Sequence, residues 1–224
     1  MKAVIFDLDN TLYSYDKAHA KAYAAVQALA SRELGLDAAE FDLLHSEANR
    51  ILSRRCQGGP PIHDRMLRFQ VLLETIGRPI GHATALSDRY WQVLLDNMEA
   101  EPGAGETLRA LKHRGLRIGI GTNMTLDWQL EKLRRLDFLN WIDFLVTSEE
   151  ANAEKPDPRL FDLCAEKAGA ELGECCFVGD NLEKDAVAAK KAGMLGVWYD
   201  PIGRGTAPAE IPTIRVLSEL LNII

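Results

Sequence analysis

The chain has little of the residue that staples small secreted proteins. Its 224 residues include four cysteines, Cys56, Cys164, Cys175 and Cys176, and none stands in a Cys-x-x-Cys pair. Neighbours on a strand point to opposite faces, so Cys175 and Cys176 are poor partners for each other. A disulfide framework is not indicated, and reduced, buried thiols of a cytoplasmic protein are expected. Long hydrophobic runs are missing too. No segment approaches the ~18 apolar residues of a membrane span. The apolar run that opens the chain is broken by Asp7 almost at once, so no secretory leader is expected. Positive charge is in deficit, with 26 Lys and Arg against 33 Asp and Glu and a formal charge of -7. That excludes the basic face a nucleic-acid polymer requires. It does not exclude an anionic substrate, because a local cation and one lysine can set a site's field. Internal repeats and low-complexity tracts are absent. What remains has ordinary globular composition and the length for one large domain or two small ones.

Two carboxylates end the first apolar run, Ala3-Val4-Ile5-Phe6-Asp7-Leu8-Asp9. Val4, Ile5 and Phe6 are β-branched or aromatic and read as a short buried strand. Residues two apart on a strand point the same way, so Asp7 and Asp9 can face one spot. In open α/β sheets that spot, beyond the carboxyl ends of the strands, is where ligands bind. Two like charges so close need a cation or a proton between them. The pattern suits a metal-assisted nucleophile with an acid/base partner.

Three more polar stations follow, in order. Ile118-Gly119-Ile120-Gly121 leads into Thr122-Asn123. Glu154-Lys155-Pro156-Asp157-Pro158 comes next. Cys175-Cys176-Phe177-Val178 then runs into Gly179-Asp180-Asn181, with Asp185 close behind. This ordered set resembles the haloacid dehalogenase (HAD) superfamily of phosphohydrolases, whose signatures are Asp-x-Asp-x-Thr, a Thr after the second strand, a lone Lys and Gly-Asp-x-x-x-x-Asp. The resemblance runs from Met1 to about Tyr199. It implies a doubly wound, Rossmann-like parallel α/β core with a helical cap inserted between the first and second stations. The expected division is a core of residues 1–14 and 99–224 and a cap of 15–98.

Periodicity agrees with that plan. The middle block carries four helical patterns, near 16–34, 39–55, 63–76 and 83–98, and Gly58-Gly59-Pro60-Pro61 breaks it in two. After Pro102 the pattern alternates. Helices are expected at 104–114, 126–136, 158–168 and 183–192. Strands are expected at 116–121, 142–147, 174–178 and 195–199, the last closing the sheet. A final short helix is expected near 215–222. The strands are almost wholly apolar, as in sheets covered on both faces.

By the resemblance, Asp7 is a nucleophile that forms an aspartyl-phosphate. Asp9 protonates the leaving oxygen and later deprotonates water. Mg²⁺ is the implied cofactor, held by the Asp7 side chain, the Asp9 backbone carbonyl and the Asp180 side chain, with Asp185 acting through water or behind the ligands. No His or Cys spacing suggests zinc. Thr122 and Asn123, between a strand and a helix, are expected to hold phosphoryl oxygens. Lys155, kept out of a helix by Pro156, is expected to serve both phosphate and nucleophile. Asn10 and Thr11 are expected to contribute backbone amides or turn contacts and are not read as catalytic.

In the cap, Arg54, Arg55, His63, Asp64, Arg65 and Arg68 cluster around the Gly-Gly-Pro-Pro break. Arg55, His63 and Arg65 are the candidates to select the substrate. Tyr13 and Tyr15 fall in the expected hinge, while Tyr90 and Trp91 read as cap core. The implied activity is a phosphatase acting on a small phosphorylated metabolite. A 5'-nucleotide ranks first, beside phosphoglycolate and sugar phosphates. A sugar-phosphate mutase and a phospho-acceptor signalling module are the alternatives. A dehalogenase is disfavoured, because a halide leaves without the proton that Asp9 supplies.

Overall fold

The computed structural model describes residues 1–56 and 59–224. They divide into two compact units, Met1–Ser14 with Glu99–Ile224, and Tyr15–Met98. All four cysteines are free thiols. No helix among the described residues is long and apolar enough to cross a membrane.

The chain opens with β1 (Ala3–Phe6), buried throughout. The helical unit follows as α1 (Tyr15–Leu34), α2 (Ala38–Arg55), α3 (Arg65–Thr75) and α4 (His82–Asp96). The chain then alternates through α5 (Ala104–His113), β2 (Arg117–Thr122), α6 (Leu126–Arg135), β3 (Phe144–Thr147) and the single turn α7 (Ser148–Ala151). It continues through α8 (Pro158–Ala168), β4 (Cys175–Gly179), α9 (Ala188–Ala192), β5 (Leu195–Tyr199) and β6 (Thr213–Ile214).

The six strands form one sheet in the order β3-β2-β1-β4-β5-β6, and every pairing is parallel. β1 lies between β2 and β4, with Phe6 beside Ile120 and Val178. The order reverses at β1: β2 and β3 extend to one side, β4, β5 and β6 to the other. The switch point, where a doubly wound sheet opens a crevice, is therefore the end of β1 itself. On one face Ile5, Phe177 and Val146 pack with Leu160, Phe161, Cys164 and Ala189. Val4 and Phe6 alternate to the other face and are equally buried. Both faces are covered, which is why these strands carry no polar residue to spare.

In the helical unit, α1 buries Ala18, Ala22, Val26, Ala30 and Leu34. This stripe of mostly small side chains packs against α4, which supplies Leu86, Tyr90, Trp91 and Leu94. Asp37 and Glu40 cap α2 reciprocally, each side chain accepting the other's backbone N–H at 2.9 Å, as a capping box requires.

Several expected boundaries shift for identifiable reasons. β5 does not close the sheet, because β6 pairs outside it; two residues are too few to carry a strand pattern. The expected strand at 142–147 starts at Phe144, since the Asp143 carboxylate is turned to accept the Ile118 N–H at 2.7 Å and to pair with Lys112. The expected helix at 63–76 is a 3₁₀ turn, Pro60–His63, followed by α3, whose N-cap Asp64 accepts the Leu67 N–H. Gly58 of the expected break lies outside the described residues. The helix at 183–192 begins as a π-helical turn, Leu182–Val187. The segment expected as a helix near 215–222 is 3₁₀, Leu217–Asn222.

That π turn presses on β5. A Cβ on Gly196 would overlap the Ala186 carbonyl, so only glycine lets the two backbones touch. Gly196→Ala should lower stability by about 2 kcal/mol or more through overpacking. Urea denaturation at constant slope measures it, and a loss under about 0.5 kcal/mol would mean that the contact yields freely.

Candidate active site

Three neighbouring strands deliver their last residues to one place. β1 ends at Phe6, directly before Asp7, β2 ends at Thr122, and β4 ends at Gly179, directly before Asp180. The Asp7 N–H donates to the Val178 carbonyl at 2.8 Å, extending the β1–β4 ladder one residue into the site. Oxygens of Asp7, Asp180 and Asp185 all lie within 4.8 Å of one another. Lys155 is the ammonium in their midst. Its Nζ stands 2.7 Å from Asp7 Oδ1 and 2.8 Å from Asp185 Oδ1, and 5.2 Å from the centre of the Phe177 ring.

Lys155 is held by its main chain. Asn123 Oδ1 accepts the Lys155 N–H at 2.8 Å, and Asn123 Nδ2 donates to the Lys155 carbonyl at 3.3 Å. The Lys155–Pro156 peptide bond is cis. Thr122 is buried, and its Oγ1 accepts from Gln129 Nε2 at 2.6 Å, so its own hydrogen remains to be donated. Thr11 Oγ1 accepts the Asp180 N–H at 3.0 Å, tying the loop after β1 to the loop after β4. Asp185 Oδ2 accepts the Asn181 N–H at 2.9 Å. A Cβ on Gly179 would fall on the Asp185 carboxylate, so glycine there makes the room Asp185 occupies.

Lys155 pairs with Asp7 and Asp185 while Asp180 pairs with Arg204, and burial, with the neighbouring acids, raises the proton affinity of Asp7 and Asp180. Burial, reinforced by Asp185 and Asp180 and opposed by Lys155, pushes Asp7 up to about 7. Burial pushes Asp180 up to about 6, against its pairing with Arg204 and with help from Asp185. Burial works against the Lys155 charge, but Asp185 and then Asp7 outweigh it and hold the ammonium above its ordinary range. A hard divalent cation fits this donor set: oxygen ligands only, clustered, and short of positive charge.

Asp9 is set differently. Its carboxylate accepts from Lys132 Nζ at 2.7 and 3.0 Å and from the Tyr13 hydroxyl at 2.6 Å. Lys132 is 1% exposed. Sequence reasoning missed it, although a signal was present: Gln129, Lys132 and Leu133 share the buried stripe of α6, where a lysine is out of place unless paired. Arg204 was missed as well. It donates to Asp180 Oδ2 at 3.0 Å and to the Asp180 carbonyl at 2.8 Å, from a loop with no pattern to announce it.

The helical unit holds the other predicted residues. Arg65 donates to the Tyr15 hydroxyl at 2.8 Å and to the His63 carbonyl at 3.3 Å. Arg55 stands exposed in the last turn of α2 and does not join them. Tyr15 belongs to this unit, while Tyr13 belongs to the α/β unit.

The chain matches, over residues 1–193, the family described as haloacid dehalogenase-like hydrolase. A ribulose-1,5-bisphosphate 5-phosphatase of Halopiger xanaduensis is 39% identical over 203 residues, covering 89% of this chain and 84% of that protein. A glyceraldehyde 3-phosphate phosphatase of Methanopyrus kandleri is 34% identical over 201 residues, covering 88% and 83%. The structure of a 2-haloacid dehalogenase from Pseudomonas syringae pv. Tomato superposes with a TM-score of 0.78 at 26% identity, covering 100% of this chain and 97% of that one. A family match across residues 1–193, joined to a parallel sheet whose switch point gathers four ordered motifs, carries one conclusion: the chain belongs to the haloacid dehalogenase-like hydrolase family.

Proposed function

We propose that the chain is a magnesium-dependent phosphatase that cleaves a small phosphomonoester through an aspartyl-phosphate on Asp7. The observation that carries the reading is the Lys155 ammonium, 2.7 Å from Asp7 and 2.8 Å from Asp185, beside a third acid, Asp180. Magnesium would be held by the Asp7 and Asp180 side chains with the Asp9 backbone carbonyl, and when bound it neutralises charge on nucleophile and phosphate together. Lys155 supplies the remaining positive charge and Thr122 a hydroxyl donor for a phosphoryl oxygen. The Asn123 side chain acts through the Lys155 backbone it clamps.

Asp7 attacks phosphorus as the bond to the ester oxygen breaks, and Asp9 gives that oxygen its proton. Asp9 then takes a proton from the water that attacks the phosphorus and frees Asp7. Lys132 and Tyr13 orient the Asp9 carboxyl group, which in its protonated form donates to the leaving oxygen and regains the proton from the attacking water. The likeness to a haloacid dehalogenase does not favour a halide, because this proton donor would then have no task. The two curated relatives bear the names of phosphatases for ribulose 1,5-bisphosphate and glyceraldehyde 3-phosphate. They move the preferred substrate from a 5'-nucleotide to a short-chain carbohydrate phosphate.

Asp7→Asn should abolish phosphate release while keeping the far-UV spectrum and cooperative melting; turnover within tenfold of the unmodified enzyme would refute the nucleophile. Asp9→Asn should cost roughly 10² to 10⁴ in kcat on alkyl phosphates and much less on p-nitrophenyl phosphate, whose leaving group needs no proton. Lys132→Met should show the same asymmetry at smaller amplitude. Equal losses on both substrates would count against the acid role.

Proton linkage gives a third expectation. Asp7 and Asp180 rise from 3.8 to about 7 and about 6 in the metal-free protein. The folded chain therefore holds these protons more tightly than the unfolded one, and metal-free stability declines as pH climbs from about 4 to about 7. Magnesium must displace the same protons, so its affinity should strengthen across that window with proton release. Calorimetric titration with Mg²⁺ in buffers of different ionisation enthalpy reads the release, and a pH-independent affinity would contradict the assignment.

A further inference from the structure

The α/β unit brings a second cation to its acidic cluster, from the loop after β5. That strand ends at Tyr199, and Asp200 follows directly. Asp200 is fully buried, where a carboxylate is costly unless it is paired. Its Oδ1 accepts the Arg204 N–H at 2.9 Å and Arg204 Nε at 3.2 Å. Main chain and side chain of Arg204 are therefore held by the same oxygen, and the planar fork beyond Nε is aimed before any ligand arrives. Its target is Asp180. Nη1 donates to Asp180 Oδ2 at 3.0 Å, and Nη2 donates to the Asp180 carbonyl at 2.8 Å and the Tyr199 carbonyl at 3.2 Å.

A guanidinium so placed either positions Asp180 or sets its charge. The main chain of Asp180 has other anchors. Its N–H donates to Thr11 Oγ1 at 3.0 Å, and its carbonyl accepts Trp198 Nε1 at 2.9 Å. It also follows directly on β4, whose last residue, Gly179, is in register with Trp198 of β5. Position is thus secured without Arg204, and what the guanidinium adds is a positive charge on Oδ2. The Asp180 side chain is 16% exposed, so salt screens this charge less than it would at an open surface.

The sign of that charge decides what it does. Asp7, Asp180 and Asp185 bring three negative charges together against the one ammonium of Lys155, and Arg204 offsets part of the remainder. A divalent cation taking the same carboxylate finds its charge already shared and a like charge beside it. We propose that Arg204, aimed by Asp200, is a built-in counter-ion on Asp180 that keeps magnesium binding weak and readily reversible. The proposal rests on the magnesium reading above. It makes occupancy of the site follow the concentration of free Mg²⁺, where three unopposed carboxylates would hold the ion more firmly.

The test is calorimetric titration of the full chain, initially metal-free, with Mg²⁺. It is run at about pH 8, above the range in which Asp7 and Asp180 take up protons, and each variant is first checked for cooperative melting. Arg204→Gln removes the charge and should bind Mg²⁺ roughly tenfold more tightly, the effect of one unit charge on a divalent ion at a shared carboxylate under near-aqueous screening. Arg204→Met should do the same and serves if the first variant does not fold. Arg204→Lys keeps the charge and should stay within about threefold of the unmodified protein. An arginine with a merely structural role predicts the opposite sign, because its loss would loosen Asp180 and weaken binding. Unchanged or weaker binding in the neutral variants, or a lysine variant as tight as they are, would overturn the counter-ion.

Asp180→Asn separates this inference from the reading beneath it. If that substitution abolishes the binding seen in the unmodified chain, the magnesium reading stands whatever the Arg204 variants show. No saturable binding by the unmodified chain, or binding undiminished in Asp180→Asn, would sink the magnesium reading and the counter-ion with it.

Discussion

One ammonium among three carboxylates governs how the α/β unit is built. Lys155 lies between Asp7 and Asp185 with Asp180 beside them, and the loops around it keep these four groups together. Asn123 grips the Lys155 backbone from the end of β2. Thr11 reaches from the first loop to the Asp180 N–H. Gly179 leaves out the one atom that would displace Asp185, and the π turn carrying Asp185 departs from α-helical spacing at that point, as π turns often do at functional sites. Burying such a cluster does little for stability, since desolvation largely cancels the attraction within a buried ion pair. Even with Arg204 on Asp180 one negative charge stays in excess, so the balance is worse than for a single pair. The arrangement makes sense as a seat for positive charge brought in from outside, and the elevated proton affinity of Asp7 and Asp180, set first by burial and then by the neighbouring acids, accords with it.

The two acids of the first loop, two residues apart, live in contrasting surroundings. Asp7 faces the acidic cluster. Asp9 faces Lys132 and the Tyr13 hydroxyl. Environments that separate two neighbouring acids are how one site assigns one of them to attack and the other to proton transfer. The structural part of that separation comes from α6, which turns Lys132 and Gln129 inward together. One meets Asp9 and the other Thr122, so a single helix face serves both the first and the second station.

Much of this was legible in the sequence because the motifs sit at strand ends. A parallel strand buried on both faces must be apolar, so the first polar residue after it marks the carboxyl edge where a doubly wound sheet binds ligands. Asp7, Thr122 and Asp180 were found that way. Helix limits at Gly169 and Gly193 were legible from left-handed C-caps. What escaped depends on tertiary partners. Lys132 looks like one more charge in a helix rich in charge until its stripe is counted. Arg204 comes from a loop whose course no local pattern dictates. β6 is defined by its pairing with β5 alone. The π turn obeys the position Asp185 must occupy, and helix propensity says nothing of that. Asn123 was expected at phosphate from its place beside Thr122; the bonds of its amide to the Lys155 main chain were not legible, because they join two stations 32 residues apart.

The two units carry opposite imbalances, and this links the chain's composition to its chemistry. The α/β unit gathers three acids around one lysine. The helical unit sets Arg65 against the Tyr15 hydroxyl and the Tyr90 ring and Arg68 against the Ile62 carbonyl. A chain of net charge -7 has acids enough to neutralise both arginines, and α3 even places one, Asp64, directly ahead of them. That acid caps the helix instead. Each imbalance weighs against the stability of the chain, and the acidic one is relieved by a ligand of opposite sign, a hard divalent cation among the carboxylates.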